Sequence, residues 1–157
     1  MDATTMPSIT SLVAKLQTDY PQLTFKSGDD FRWSPQEMTL YYPSASSDTA
    51  TLLHEVGHAL LGHNTYTKDI QLIEMERDAW EYARKNLSGR YDSSISESIV
   101  QESLDTYRDW LHARSTCPNC QATGVQTKTQ HYKCVACHTQ WRVNEARICA
   151  LRRYTLH

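Results

Sequence analysis

Residues Thr51 to His63, TLLHEVGHALLGH, are the stretch around which this 157-residue chain is organised. Apolar residues surround two histidines and a glutamate, a pattern that predicts a buried helix. Because positions i and i+4 of a helix share one face, His54 and His58 can direct two imidazole nitrogens at one metal ion. Glu55 then lies beside that ion. A buried helix does not carry such polar side chains without partners, so the three residues predict a site.

Gly62 is the predicted end of this helix, and His63 lies just beyond it. That position is unsuitable for completing a ligand set with His58. We therefore interpret His63 as a surface residue or as a neighbour of the ligands.

A second predicted helix, over residues 69–86, offers two acids as the third ligand. Its apolar side carries Glu76, which would face the buried histidine helix, whereas Glu74 falls on the charged side. Glu76 is therefore the preferred ligand. Glu74 remains the alternative, because Asp78, one turn further on, could then orient a histidine from outside the ligand set.

His54, Glu55 and His58 follow the H-E-x-x-H pattern, in which the two histidines bind Zn²⁺ and the glutamate acts as general base. Two histidines and one carboxylate leave the fourth zinc position open for water, as in catalytic sites. Such water has a pKa of about 7, so hydroxide can attack a carbonyl, and peptide hydrolysis is the obvious reaction. Three residues are unranked candidates for stabilising the oxyanion: His63, Tyr66 and Tyr42.

The chain before this helix predicts one helix and a small sheet. Ser8 caps a helix with apolar residues at helical spacing, and Pro21 ends it. Three extended segments follow, at residues 22–26, 31–33 and 38–42, and predict a small antiparallel sheet. If the third segment forms a sheet edge above the metal, an extended polypeptide could pair with it.

A packing helix is predicted further along, from a cap at Ser93 or Ser94 to about Arg114. Its apolar stripe comprises Ile95, Ile99, Val100, Leu104, Tyr107 and Leu111. With the small sheet, these helices predict an α+β fold.

Four of the five cysteines form two C-x-x-C pairs, Cys117 with Cys120 and Cys134 with Cys137, thirteen residues apart. This spacing predicts a structural Cys₄ zinc ribbon. Two disulfides or a thioredoxin-like redox pair are the alternatives, but a cytoplasmic location disfavours the first and the βαβ setting of the second is missing. A tail of this length has too small an apolar core to fold alone, and zinc binding would therefore supply the free energy that stabilises its fold.

The end of the ribbon carries two weaker signals. Val143 to Tyr154 predicts a short helix, and Cys149 within it is interpreted as an unpaired, buried thiol.

The two groups of motifs predict two domains. Residues 1–114 form the domain with the catalytic zinc, and residues 115–157 form the ribbon with the structural zinc.

The two parts of the chain also differ in net charge. Residues 1–112 carry nine Lys/Arg and seventeen Asp/Glu, whereas residues 113–157 carry seven Lys/Arg and only one acid, Glu145. Basic residues of the ribbon alternate with aromatic rings, which predicts nucleic-acid binding, with a docking surface or a solvated face as alternatives. The residues concerned are Lys128, Lys133, Arg142, Arg147, Arg152 and Arg153, with Tyr132, Trp141 and His138.

The N-terminus lacks the pattern of a signal peptide, and apolar runs are too short for a membrane span. We therefore expect a cytoplasmic protein without a membrane partner.

HEVGHALLGH followed by ERDAWEYA, from Glu76 to Ala83, resembles the ImmA/IrrE family of small zinc metallopeptidases. The resemblance covers about Ser8 to Leu87. It implies a minimal zincin-like fold of the gluzincin type, with His54, His58 and Glu76 as ligands and Glu55 as base. It also implies a protein substrate, a DNA-binding transcriptional repressor.

The chain departs from that family at two points. Residues 84–88 replace the family's leucine-proline continuation, and a zinc ribbon is appended. The ribbon is similar to that of SprT-like proteases, which act near DNA but use a third histidine downstream. No histidine occurs here between His63 and His112.

Two other functions are considered besides the peptidase: a non-catalytic zinc-binding adaptor and a zinc hydrolase of a non-peptide substrate. The intact Glu55 argues against the adaptor, because a scaffold needs the metal ligands but not the base.

Overall fold

A computed structural model describes residues 8–145 and 150–157 of the chain. The helices are α1 (Ile9–Asp19), α2 (Thr49–Leu60), α3 (Asp69–Tyr82) and α4 (Glu97–Ser115), and a π-helical turn (Ala83–Leu87) continues α3. The strands are β1 (Thr24–Ser27), β2 (Arg32–Ser34), β3 (Thr39–Tyr42), β4 (Gly124–Lys128), β5 (His131–Cys134), β6 (Gln140–Val143) and β7 (Arg153–Leu156). The predicted α+β class is confirmed.

The chain forms two compact units. The first comprises the described part of residues 1–64 together with residues 75–100, and the second comprises residues 65–74 and the described part of residues 101–157. The predicted domain boundary after residue 114 stays a prediction. Among the described residues, none of the helices combines the length and the apolar character that crossing a membrane requires.

Helix α1 begins at the predicted cap. The Ser8 hydroxyl accepts a hydrogen bond from the Ser11 amide at 3.3 Å. Ile9, Leu12 and Leu16 are buried, which places the apolar stripe of this helix in the core.

The first sheet is mixed, so the predicted antiparallel sheet is wrong. Its strand order is β1-β3-β2, with β1 parallel and β2 antiparallel to β3. The third strand is therefore central and does not form the sheet edge at which a polypeptide could have paired with it. The reason lies in burial. Leu40 in β3 is fully buried, whereas β1 and β2 carry exposed polar residues that suit sheet edges.

Helix α2 is held at both ends and in the middle. Asp48 caps its start by accepting from the Thr51 amide at 3.0 Å, and Gly62 follows its end with a φ of 70°. A Cβ at Gly57 would lie 2.6 Å from the Ala79 carbonyl oxygen of α3. Glycine at this position therefore lets α2 and α3 approach closely.

Helix α4 starts later than predicted. Ser96 caps it, accepting from the Ile99 amide at 3.2 Å, whereas Ser93 is buried and bonds the Thr49 hydroxyl at 2.7 Å. The Ser93 hydroxyl is thus used by the start of α2 and is not a cap. Ile99 is 39% exposed, so this residue does not belong to the core stripe.

The second sheet is antiparallel, with the order β4-β5-β6-β7. Its core contains Tyr132, Trp141 and Val143 beside Cys117 and Cys134. The described residues between 143 and 154 comprise the end of β6, irregular chain and the start of β7, so the predicted helix is wrong for the described residues. The Asn144 side chain binds the main chain at Ala150 and Arg152, which favours the return of β7 alongside β6. Cys149 and Arg147 lie outside the described residues.

Candidate metal centres

The first candidate centre lies within the first unit, between α2 and α3. Only 4% of His54, 6% of His58 and 5% of Glu76 is exposed, whereas Glu74 points to solvent. Helical periodicity accounts for this placement, since His54 and His58 are one turn apart and Glu76 lies on the apolar side of α3. The role of Glu76 as ligand stays a prediction.

Polar atoms of three side chains converge at this place. His54 Nε2 lies 3.1 Å from His58 Nε2 and 2.8 Å from Glu76 Oε2, and His58 Nε2 lies 3.1 Å from Glu76 Oε1. Ligands at 2.0–2.1 Å from a tetrahedral zinc would be about 3.3 Å apart. The buried Glu76 Oε2 lacks a hydrogen-bond partner of good geometry, although His54 is close. Such an arrangement fits ligands that surround a cation.

The charge states of these groups suit a metal. Burial opposes ionisation of Glu76, but its contacts with His54 and then His58 outweigh burial and hold the pKa of this carboxyl well below its usual range. Burial lowers the pKa of His54, although Glu76 acts in the opposite direction. A carboxylate and a neutral imidazole are the forms that bind metal ions.

The surroundings of the two histidines restrict their rings. Trp80 stacks on His54 with ring centroids 4.2 Å apart. His58 Nδ1 lies 2.9 Å from His63 Nδ1, on the side of the ring away from Glu76. Burial and the neighbouring His58 lower the pKa of His63, which favours the neutral form that can accept from His58 Nδ1–H. His63 is therefore a neighbour of a candidate ligand, positioned to set its tautomer.

Replacing His63 with alanine is expected to weaken zinc binding at this centre roughly 10- to 100-fold, because His58 loses the group that orients it. His63→Gln, which keeps an acceptor, should retain more of the affinity. Competition with a chromophoric chelator measures the effect, with the cysteine-bound metal as internal reference and His112→Ala as control. Equal affinity of His63→Ala and the unmodified chain would remove this role.

Glu55 lies close to both histidines, and its carboxylate is within 4.8 Å of their ring nitrogens. Its Oε1 is 4.0 Å from His54 Nε2, and its Oε2 accepts from the Trp33 amide at 3.2 Å. Trp33 belongs to the edge strand β2, and its indole also donates to the His63 carbonyl at 3.2 Å. Trp33 thus contacts two residues of the centre, a role that its sequence position did not indicate.

The oxyanion candidates separate in the fold. His63 contacts His58, Tyr42 is half-buried at the end of β3, and Tyr66 belongs to the second unit. Of the three, His63 contacts the candidate ligand His58.

The second candidate centre is formed by Cys117, Cys120, Cys134 and Cys137, whose sulfur atoms all lie within 4.8 Å of one another. Cys117 and Cys137 Sγ are 3.7 Å apart, and Cys120 and Cys134 Sγ are 3.5 Å apart. Four thiolates at about 2.3 Å from a tetrahedral zinc would be separated by about 3.8 Å. All four are free cysteines, which excludes the two disulfides.

Donors surround these sulfur atoms. Amides of Ala136 and Cys137 lie 3.4 Å from Cys134 Sγ, and the Thr139 hydroxyl lies 3.1 Å from Cys137 Sγ. The bond from Thr139, followed by that from Asn119, lowers the pKa of Cys137 to about 5. A thiolate, the form that binds metal, is therefore favoured at this position.

A buried ion pair completes the second unit. Arg114 Nε donates to Asp69 Oδ2 at 2.8 Å, and both side chains are 3% exposed. The Tyr132 hydroxyl donates to the same carboxylate, and Gln126 Oε1 accepts from the Asp69 amide at 2.7 Å. The ribbon therefore shares a polar core with the first residue of α3 and the end of α4. Sequence patterns did not predict this network, because its members are far apart in the chain.

Comparison with family models, curated proteins and solved structures gives no match. The resemblance to ImmA/IrrE metallopeptidases therefore rests on the two motifs. Among the described residues, the structure brings together two groups that could hold a metal ion: His54 with Glu55 and His58, and the four cysteines.

Proposed function

We propose that this protein is a zinc-dependent endopeptidase whose catalytic metal is held by His54, His58 and Glu76. The observation that supports this most is the convergence of three buried side chains: the His54 and His58 Nε2 atoms lie 3.1 Å apart, and each lies within 3.1 Å of one Glu76 carboxylate oxygen. The four cysteines hold a second, structural zinc. A cytoplasmic location, which keeps these thiols reduced, is part of the proposal.

Zinc held by His54, His58 and Glu76 would supply a Lewis acid. Glu55 would accept the proton of the attacking water and pass it to the leaving amine. The Trp33 amide fixes one oxygen of this carboxylate, and the other, Oε1, lies 4.0 Å from His54 Nε2. His63 keeps the ring of His58 in the tautomer that presents Nε2.

The substrate is a protein that binds as an extended strand. Edge strand β2 contacts Glu55 through the Trp33 amide, so a polypeptide that adds to this edge would lie beside the proposed base. The motif resemblance points to a DNA-binding transcriptional repressor as that protein. The close packing of Glu76 against both histidines favours this ligand set over the three-histidine set of SprT-like proteases.

Glu76→Gln tests the ligand set and the activity together. We expect the zinc content to fall from two ions per chain to one, and hydrolysis to be lost, because an amide is a poor ligand. Zinc is measured by elemental analysis, and hydrolysis by the appearance of new N-termini in purified repressors or a proteome extract.

Glu74→Gln is the matched control, since it makes the same change on the exposed side of α3. It should keep both zinc ions and full activity. Loss of a zinc ion in Glu74→Gln but not in Glu76→Gln would move the ligand to Glu74. Two zinc ions without hydrolysis of any protein would favour the non-catalytic adaptor.

A further inference from the structure

The second sheet has one covered and one open side. Paired residues of neighbouring antiparallel strands share a side, so the register groups Lys128, His131, Arg142 and Tyr154 in one row across all four strands. Lys133, two residues after His131, lies on the same side. We call these five residues the basic face. The opposite side carries buried Tyr132 and Trp141, which belong to the core of the second unit.

Charge on the basic face has one sign. Lys128, Lys133 and Arg142 are exposed, and strands β4 to β7 contain neither aspartate nor glutamate. Within residues 8–145 and 150–157, these three cations take part in no ion pair at 4.0 Å or less. By contrast, the buried Arg114 of the same unit is neutralised by Asp69. The face therefore presents uncompensated positive charge, which attracts a polyanion.

Flat groups lie within the same row. The Arg142 guanidinium lies 4.2 Å from the centre of the Tyr154 ring, which is 37% exposed. His131 is half-buried, and its Nδ1 is fixed at 2.8 Å from the Thr129 carbonyl. Rings and guanidinium planes held on a sheet are surfaces on which unpaired bases stack.

These observations distinguish between polyanions. In a duplex the bases are stacked inside, and proteins read them by placing a helix or a β-ribbon in a groove. A sheet face with exposed rings instead contacts unpaired bases that are splayed out. An acidic protein would form ion pairs with the cations but would have no bases to stack on the rings and the guanidinium group. Two apolar side chains on the same side, Val125 and Leu156, are 55% and 39% exposed and add contact area for bases.

We propose that the basic face binds single-stranded nucleic acid, with the cations on the phosphates and Tyr154 stacked on a base. This goes beyond the proposed peptidase and does not depend on it. The face would hold the protein at exposed single strands, whatever its activity there.

Fluorescence anisotropy of the zinc-loaded full chain with labelled 20-nucleotide oligo-dT and oligo-U tests the proposal. Three phosphate contacts predict a slope of about −2 for log affinity against log salt. A 20-base-pair duplex should bind more weakly than oligo-dT and more weakly than oligo-U. The ratio of the affinities for these two oligonucleotides shows whether single-stranded DNA or RNA is preferred. Absent salt dependence, or tighter binding of the duplex, would overturn the proposal.

The double substitution Lys133→Glu/Arg142→Glu should lower the affinity at least tenfold. Lys15→Glu/Lys26→Glu changes net charge by the same amount at exposed positions of the first unit and should have a small effect. Tyr154→Leu should weaken binding roughly 10- to 100-fold, and Tyr154→Phe should not. Each variant is checked for two bound zinc ions, so that a folding defect is recognised. Equal losses in both double variants, or an unchanged Tyr154→Leu, would contradict the assigned face.

Discussion

Glu55→Gln is expected to lower the rate of peptide hydrolysis roughly 100- to 10,000-fold while both zinc ions stay bound. Glu55 is adjacent to the candidate ligands, with Oε1 4.0 Å from His54 Nε2, but it is not one of the three proposed ligands. The amide oxygen of glutamine can still accept from the Trp33 amide, so the local fold is retained. The rate of substrate cleavage under saturating zinc measures the effect, and elemental analysis measures the metal.

Glu81→Gln serves as control, because Glu81 is an exposed residue of α3. It should leave both the rate and the zinc content unchanged. Loss of zinc in Glu55→Gln would show that Glu55 is a ligand rather than a base. Cleavage at the unmodified rate would assign proton transfer to a different group.

Asp69→Asn is expected to destabilise the second unit by about 3–5 kcal/mol, since it leaves the Arg114 guanidinium charged and buried without a counter-ion. The cost exceeds that of a surface pair because water cannot solvate the guanidinium, which is 3% exposed. The Tyr132 hydroxyl also loses its charged acceptor. Urea unfolding of the zinc-loaded chain, followed by release of the cysteine-bound metal, measures the free energy.

Asp78→Asn is the surface comparison. Asp78 is 49% exposed and pairs with Arg77 at 3.3 Å, so its replacement should cost less than about 1 kcal/mol. Adding Arg114→Met to Asp69→Asn should recover part of the stability, because the double variant no longer buries an unpaired charge. Equal costs for Asp69→Asn and Asp78→Asn would refute the structural role of this pair.

Much of the first centre was predictable because its geometry is local. The four-residue spacing of His54 and His58 places both rings on one face wherever a helix forms. Glu76 could be separated from Glu74 because periodicity alone distinguishes the apolar from the charged side of α3. The Cys pairs are local as well, since two residues between thiols bring both to one point.

The contacts around that centre were not predictable. Strand order depends on pairing between segments that are not adjacent in the chain, and alternation of side chains does not determine which strand is central. The same limit applies to Trp33, which contacts Glu55 across 22 residues, and to Arg153 and Tyr154, which pair with β6 where the end of a helix was expected.

The sequence by itself determined the α+β class, the helix that carries His54 and His58, the side of α3 on which Glu76 lies and the pairing of cysteines into knuckles. All of these follow from the periodicity of a single element or from short spacing. Tertiary structure alone decided that β3 is central, that Trp33 fixes Glu55, that His63 contacts His58, and that Asp69 meets Arg114. The physical reason is that these contacts join residues whose approach depends on how separate elements pack, and local patterns carry no information about that packing.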